Sequence, residues 1–403
     1  MEEDHVKRIL TITAILCTFA ASSAMAQQGR TSGVDLRRAV SDIQFNEAPL
    51  AAAAQAGAAE SSALKFFAGT EVTGFVDTYY TYNFNKSDQG NQLYNFNVNH
   101  NAFSLNLAEL ALEKKPTADS RGGFRMDIDY GHAAAMVNSL EPGKDKAELE
   151  HIQQAYLSYL APDAHGVQLD FGKFVTQHGA EVIETKDNWN YSRSLLFAWA
   201  IPYYHMGVRA TIPINDKFTF AAVIVNGWNN VFENNTGKTV GLQAVIKPTS
   251  SVTIVQNYMG GPEQAGDNDD WRHLLDTLVT FNASSMVSVM GNYDYGRDTA
   301  SGSDVTWQGF AGYLKIQPNS WFAFIPRAEY FDDKDGFATG TAQKVKEVTA
   351  TAEIKHRDGV MMRVEYRRDF SDQPFFTKNT NESVKNQDTF SIGWVYAFSS
   401  KTP

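Results

Sequence analysis

Near the C-terminus, apolar and small or polar residues take turns one by one. Phe390, Ile392, Trp394, Tyr396 and Phe398 are apolar, and Thr389, Ser391 and Gly393 lie between them. A period of two belongs to an extended strand whose two faces meet different surroundings. The pattern recurs upstream. Phe124, Met126, Ile128 and Tyr130 alternate with Arg125, Asp127 and Asp129. Val348, Ala350, Ala352 and Ile354 alternate with Glu347, Thr349, Thr351, Glu353 and Lys355. Val364, Tyr366 and Phe370 oppose Arg363, Glu365, Arg367 and Asp369, with Arg368 interrupting the apolar face. Sixteen such segments are predicted, at 68–84, 102–114, 122–132, 150–160, 166–176, 203–212, 216–228, 237–247, 251–260, 270–282, 286–297, 304–317, 321–333, 343–356, 360–371 and 387–398.

The connections between them constrain the architecture further. Every second one is short and rich in turn residues: 161–165, 213–215, 247–250, 282–285, 318–320 and 357–359. The intervening ones are mostly longer and polar: 85–101, 133–149, 177–202, 261–269, 334–342 and 372–386. A soluble β-sandwich has no reason to alternate in this way. A membrane barrel does, with tight periplasmic turns and long extracellular loops. Hydrocarbon offers no partner to an unpaired backbone group, so a sheet that crosses it must close on itself. Aromatics at segment ends, among them Tyr80, Tyr82, Phe84, Tyr293, Tyr295, Tyr330, Tyr396 and Phe398, fit girdles at the two membrane interfaces. The fold class predicted is all-β: a transmembrane antiparallel β-barrel of about 16 strands, within a range of 14–18, spanning 67–398.

The N-terminus supports this compartment. Lys7 and Arg8 precede an apolar stretch from Ile9 to Ala21, and Ala24-Met25-Ala26 supplies a cleavage signature. Residues 1–26 are read as a secretory signal peptide. The single cysteine, Cys17, falls inside it, so the mature chain is expected to have no disulfide, thiol chemistry or Cys-based metal site. Residues 27–66 are read as a flexible Ala-rich lead-in with one short helix, and 399–403 as a C-terminal tail. The predicted location is the outer membrane of a Gram-negative bacterium. A net charge of −11 excludes the basic footprint of a nucleic-acid binder. No apolar run reaches the roughly 18 residues of a helical span.

Barrels of about 16–18 strands leave an aqueous channel. The predicted function is therefore passive diffusion of small hydrophilic solutes and ions, with no catalysis and no cofactor. The expected partners are lipid and small solutes; a homotrimer and a monomer both fit the sequence, since an apolar wall facing lipid looks much like one facing a neighbour. A structural or adhesive barrel with a blocked lumen is the alternative, followed by an outer-membrane enzyme barrel. No G-x-S-x-G supports the last of these.

Connection 177–202 is the candidate site. It combines Glu181, Glu184, Lys186, Asp187 and Arg193 with Leu195, Leu196, Phe197, Trp199 and Ile201, apolar residues that a solvated loop would not need. It is predicted to fold inward and narrow the pore. Arg125, Asp127, Asp129, Arg209, Arg327, Glu329, Arg363, Glu365 and Arg367 are expected to face it from the wall and tune ion selectivity. Neutralising Glu181 and Glu184 together is then expected to shift the reversal potential. Two acidic clusters, Asp332-Asp333-Lys334-Asp335-Gly336 and Asp267-Asn268-Asp269-Asp270, lack the closing Glu of an EF-hand loop and are read as solvated; no metal site is predicted.

The stretch Val225-Asn226-Gly227-Trp228-Asn229-Asn230-Val231-Phe232-Glu233-Asn234-Asn235-Thr236-Gly237-Lys238-Thr239 resembles the signature of the putative beta-barrel porin-2 family of Gram-negative outer membranes. Asn188-Trp189-Asn190-Tyr191-Ser192-Arg193-Ser194, then Phe197, Pro202, His205 and Gly207, is similar to that family's preceding loop. The resemblance implies a porin-like outer-membrane barrel. It implies no particular substrate.

Overall fold

The computed structural model describes residues 69–139, 141, 149–162, 166–300 and 302–401. The predicted signal peptide and lead-in lie outside these residues. Sixteen strands form one closed barrel. In chain order they are β1 (Glu71–Asn83), β2 (Ala102–Lys114), β3 (Gly122–Tyr130), β4 (Ile152–Leu160), β5 (Gln168–Val175), β6 (Tyr204–Asn215), β7 (Phe218–Val225), β8 (Thr239–Thr249), β9 (Val252–Pro262), β10 (Trp271–Asn282), β11 (Val287–Ala300), β12 (Ser303–Ile316), β13 (Phe322–Asp333), β14 (Gln343–Lys355), β15 (Val360–Ser371) and β18 (Asn386–Ser399). The short strands β16 (Phe376–Lys378) and β17 (Glu382–Val384) form a separate hairpin in the connection between β15 and β18. Each barrel strand pairs antiparallel with its neighbours, and β1 closes the ring against β18, Val76 opposite Tyr396 and Tyr80 opposite Ile392.

Side-chain parity determines which residues meet lipid. Along β14, Val345, Glu347, Thr349 and Thr351 are buried inside, and Lys344, Lys346, Val348 and Ile354 point out. Along β18, Phe390, Trp394, Tyr396 and Phe398 are exposed on the outer face. Exposed aromatics gather at both strand ends: Phe103, Tyr130 and Trp271 near one rim, Phe281, Trp321 and Phe398 near the other. Arg368, the residue that breaks its strand's apolar face, lies on the outside near the upper end of β15. It pairs there with Asp388 at 3.3 Å and covers the Phe370 ring. Such a long side chain can cover apolar surface and keep its charge at the interface. No helix among the described residues is long and apolar enough to cross a membrane.

One rim carries the short turns and the other the long loops, with two corrections. The turns expected at 213–215 and 247–250 sit at 216–217 and 250–251, so Pro213 and Pro248 lie inside strands. Both prolines fall where the ladder register shifts, which suits a residue with no N–H to donate. On the long-loop rim, β11 and β12 extend further than expected and leave only residues 301–302 between them. Two bulges alter the wall. Asn106 is the extra residue where β2 pairs with β1 beside Asp77, and Gln153 is the extra residue where β4 pairs with β3 beside Asp127. The first bulge turns Asn106 inward to donate to Asp77 at 2.6 Å.

Candidate functional site

The connection from β5 to β6, residues 176–203, folds into the barrel. It has little regular structure: a single 3-10 turn, Thr185–Asp187, and one short helix, α1, Leu195–Trp199. Ser194 caps α1 by accepting from the Phe197 N–H at 3.0 Å. A segment without a ladder leaves its backbone N–H and C=O groups to find other partners. Here the barrel wall supplies them from arginine and glutamate side chains.

Arginines take the carbonyls. Arg327 on β13 donates to Ser192 O at 2.7 Å, and Arg367 on β15 donates to Arg193 O at 2.7 Å. Arg363, nearer the short-turn end of β15, reaches Thr185 O at 2.7 Å and Asn190 O at 3.2 Å, and also donates to Asn188 O. Glutamates take the N–H groups. Glu365 accepts from Tyr191 N and Ser192 N at 2.7 and 3.0 Å, and Glu329 from Leu195 N at 2.8 Å. Each arginine is neutralised in turn: Arg327 by Glu181, Glu329 and Glu347 at 2.9–3.1 Å, Arg363 by Glu353 and Arg367 by Asp369, both at 2.7 Å. Charge-assisted bonds of this kind are roughly twice as strong as neutral ones.

The loop spans from wall to wall. At its start, Gly179 N donates to Asp276 on β10 and Ala180 N to Asn292 on β11, at 2.9 and 3.1 Å. Further on, Thr185 and Tyr191 hydroxyls both donate to Asp77 on β1, at 2.6 and 2.8 Å. Lys186 Nζ lies 5.8 Å from the Phe75 ring, deep toward the short-turn end. Arg193 acts within the loop as a staple, donating to Val182 O, Tyr191 O and Ile183 O at 2.9, 2.8 and 2.6 Å. The apolar part, Leu195, Leu196, Phe197 and Ile201, is buried in a cluster with Leu93 and Phe96 of the first long loop. Burial also holds the His178 imidazole pKa down to about 4, its Nε2 without a partner.

Not every candidate touches this loop. Arg209 pairs with Asp170 at 2.8 Å and lies over Phe174. Arg125 holds Asp127 at 2.9 Å. Lys186 and Asp187 pair with each other and retain 25% and 56% side-chain exposure, which makes them the charges of the loop that border open space. One carboxylate in each acidic cluster closes a local bond. Asp333 accepts from Thr339 N at 2.7 Å, and Asp267 from Asp269 N at 2.7 Å. Asp77, Glu109, Asp276 and Asn292 were not singled out from the sequence. Their inward parity marks them as lumen residues, but nothing local marks them as loop anchors.

A second sector of the wall is acidic. Glu109 on β2 faces Asp129 on β3 across the ladder, and Asp127 follows the same face. Glu184 of the loop meets them, so that carboxylate oxygens of Glu109, Asp127 and Glu184 lie within 4.8 Å of one another. Burial pushes the Glu184 carboxyl above its ordinary range, and the Asp127 charge adds to the push. At the long-loop rim a cavity of about 570 Å³ opens between Trp199, Trp228, Glu263, Arg272 and Trp307.

The family described as Putative beta-barrel porin-2, OmpL-like, matches residues 69–398. The chain belongs to that family. Its porin-2 barrel is similar in fold to solved outer-membrane proteins of low sequence identity. The anion-selective porin from Comamonas acidovorans is 10% identical with a TM-score of 0.59, the likeness covering 82% of this chain and 99% of that one. OmpT, an outer membrane protein of Vibrio cholerae, is 10% identical with a TM-score of 0.56, covering 82% and 97%. The outer membrane channel DcaP of Acinetobacter baumannii is 12% identical with a TM-score of 0.53, covering 82% and 98%. No curated protein matches the porin-2 chain in sequence. Family and fold together make it a porin-like barrel of the Gram-negative outer membrane.

Proposed function

We propose that the chain is an outer-membrane porin through which small hydrophilic solutes and ions diffuse passively, and that loop 176–203 is its built-in constriction. The observation that carries this reading is the anchoring of the loop inside the barrel by Arg327, Arg363, Glu365 and Arg367. A loop with ordered partners on the inner wall narrows a channel reproducibly. The selectivity-setting charges are then Lys186 and Asp187, because the wall arginines are already engaged. Assembly as a homotrimer belongs to the same reading; OmpT of Vibrio cholerae has been solved in a trimer form.

Single-channel recording of the refolded mature protein in a planar bilayer tests it. Stable steps are expected. Under a salt gradient, Asp187→Asn and Lys186→Gln are expected to move the reversal potential in opposite directions. A second reading has its own support: the loop binds wall residues on β1, β10, β11 and β13–β15, and Thr185 and Asn190 are fully buried. Electrical silence from a folded, inserted barrel would favour that blocked, structural or adhesive barrel.

A further inference from the structure

On the β13–β15 side the wall meets the loop with arginines. On the β2–β3 side it meets it with carboxylates, and the loop presents a carboxylate back. Glu109, Asp127 and Glu184 each place an oxygen within 4.8 Å of the others, and all three residues are buried. Oxygens bound to one calcium ion at about 2.3–2.6 Å lie no more than about 5 Å apart. The spacing of the set is therefore that of oxygens around one such ion, with Asp127 held in place by Arg125 and Gln154.

An independent observation points the same way. Asp129, directly across the ladder from Glu109, has 0% exposure, and neither of its carboxylate oxygens has a hydrogen-bond partner. Glu109 Oε2 is likewise buried and unpartnered. Nearby cations are engaged: Arg125 with Asp127, Lys186 with Asp187, and Lys173 with Asn138 Oδ1 at 2.8 Å. Of the four carboxylates only Asp127 is paired with an arginine, and the ammonium groups of Lys173 and Lys186 lie near the others. All the donors are hard oxygens, the set calcium prefers.

We propose that Glu109, Asp127 and Glu184, with Asp129 as the fourth carboxylate, bind one divalent cation of the calcium class. The ion ties the loop to the β2–β3 wall, a contact that would otherwise join like charges. Glu184 is the ligand from the loop, so occupancy and loop position are coupled. This site stands apart from the conduction reading, because ion binding is measured without a current.

The test is calorimetric titration of CaCl2, with MgCl2 as comparison, into the refolded full-length protein after EDTA treatment. Folding is verified by circular dichroism. One ion per chain is expected. Glu184→Gln and Asp129→Asn are each expected to weaken binding by about tenfold or more. Asp267→Asn, in an exposed loop, is expected to leave it unchanged. No calcium binding by the folded wild type overturns the proposal. So does wild-type affinity in Glu184→Gln, or in Asp129→Asn should Glu184→Gln fail to fold.

Discussion

An ionised side chain inside a barrel can face water, or it can replace the hydrogen bonds water would have made to the backbone. Arg327 does the second. It has 2% exposure and meets Glu181, Glu329 and Glu347 while donating to Ser192 O. Truncating a buried ion partner leaves its carboxylates uncompensated, at a cost of about 3–5 kcal/mol. Arg327→Met is expected to lose stability of that order in urea unfolding. Arg327→Lys is expected to rescue little, because an ammonium cannot reproduce the guanidinium fork. The earlier expectation for Glu181 and Glu184 changes accordingly. Glu181 is committed to Arg327 and Ser194 N, so its neutralisation is expected to loosen the loop more than to alter the field of the pore. His178 gives a pH signature. Burial holds its pKa at about 4, below the value of 6.5 that it has when unfolded. The unfolded chain therefore takes up the proton first, and stability is lost as pH falls from about 6.5 to about 4. The loss approaches about 3 kcal/mol. Urea unfolding of wild type against His178→Gln, at pH near 7.5 and near 4.5, is expected to show a larger acid loss in wild type than in the variant. The inward parity of Arg327 and of the other wall arginines was legible in the sequence. Their partners were not, because an arginine bound to a carbonyl leaves no pattern in the chain that carries the carbonyl.

The loop is the element in which the most was hidden. Leu195, Leu196 and Phe197 stood out as apolar residues that a solvated loop would not need, and they are buried with Leu93 and Phe96. What the wall does to receive the loop could not be read. Two wall glycines act as sockets. A Cβ on Gly393 would sit 2.2 Å from Tyr191 Cε2, and one on Gly309 would sit 2.5 Å from Leu196 Cδ2. In the alternation of β18, Gly393 reads only as a small inward residue. Gly393→Ala is expected to push the Tyr191 ring off its bond to Asp77 while the strand itself persists. A faster tryptic cut within the loop, with circular dichroism unchanged, is the expected readout. The strands were far more legible than the loop: all sixteen lie where the alternation places them, with ends displaced by a few residues. Alternation is enforced at every position by lipid on one side and polar groups on the other. Loop docking is enforced by a handful of long-range bonds.

At the scale of the whole molecule, closure accounts for most of what the sequence revealed. Sixteen strands in one ring leave no edge, and the outward faces are mostly apolar with aromatics gathered near the two rims. The outer faces of β4 and β5 carry Leu157 and Phe171 at 66% and 60% exposure. Lipid and a neighbouring barrel suit such a surface equally well, so the sequence could not choose between them. The homotrimer is tested by native mass spectrometry of the detergent-extracted protein, where a species of three chains is expected and a single chain would refute it. The loop's partners also set an order of events. Glu329, Arg327, Glu365 and Arg363 follow the loop residues they bind by 134 to 178 positions. The loop cannot make these bonds until β13 and β15, which lie far behind it in the chain, stand in the wall. A loop tied to β1, β10, β13 and β15 at once crosses the barrel as a spoke crosses a wheel, and deforming the ring must first stretch its bonds.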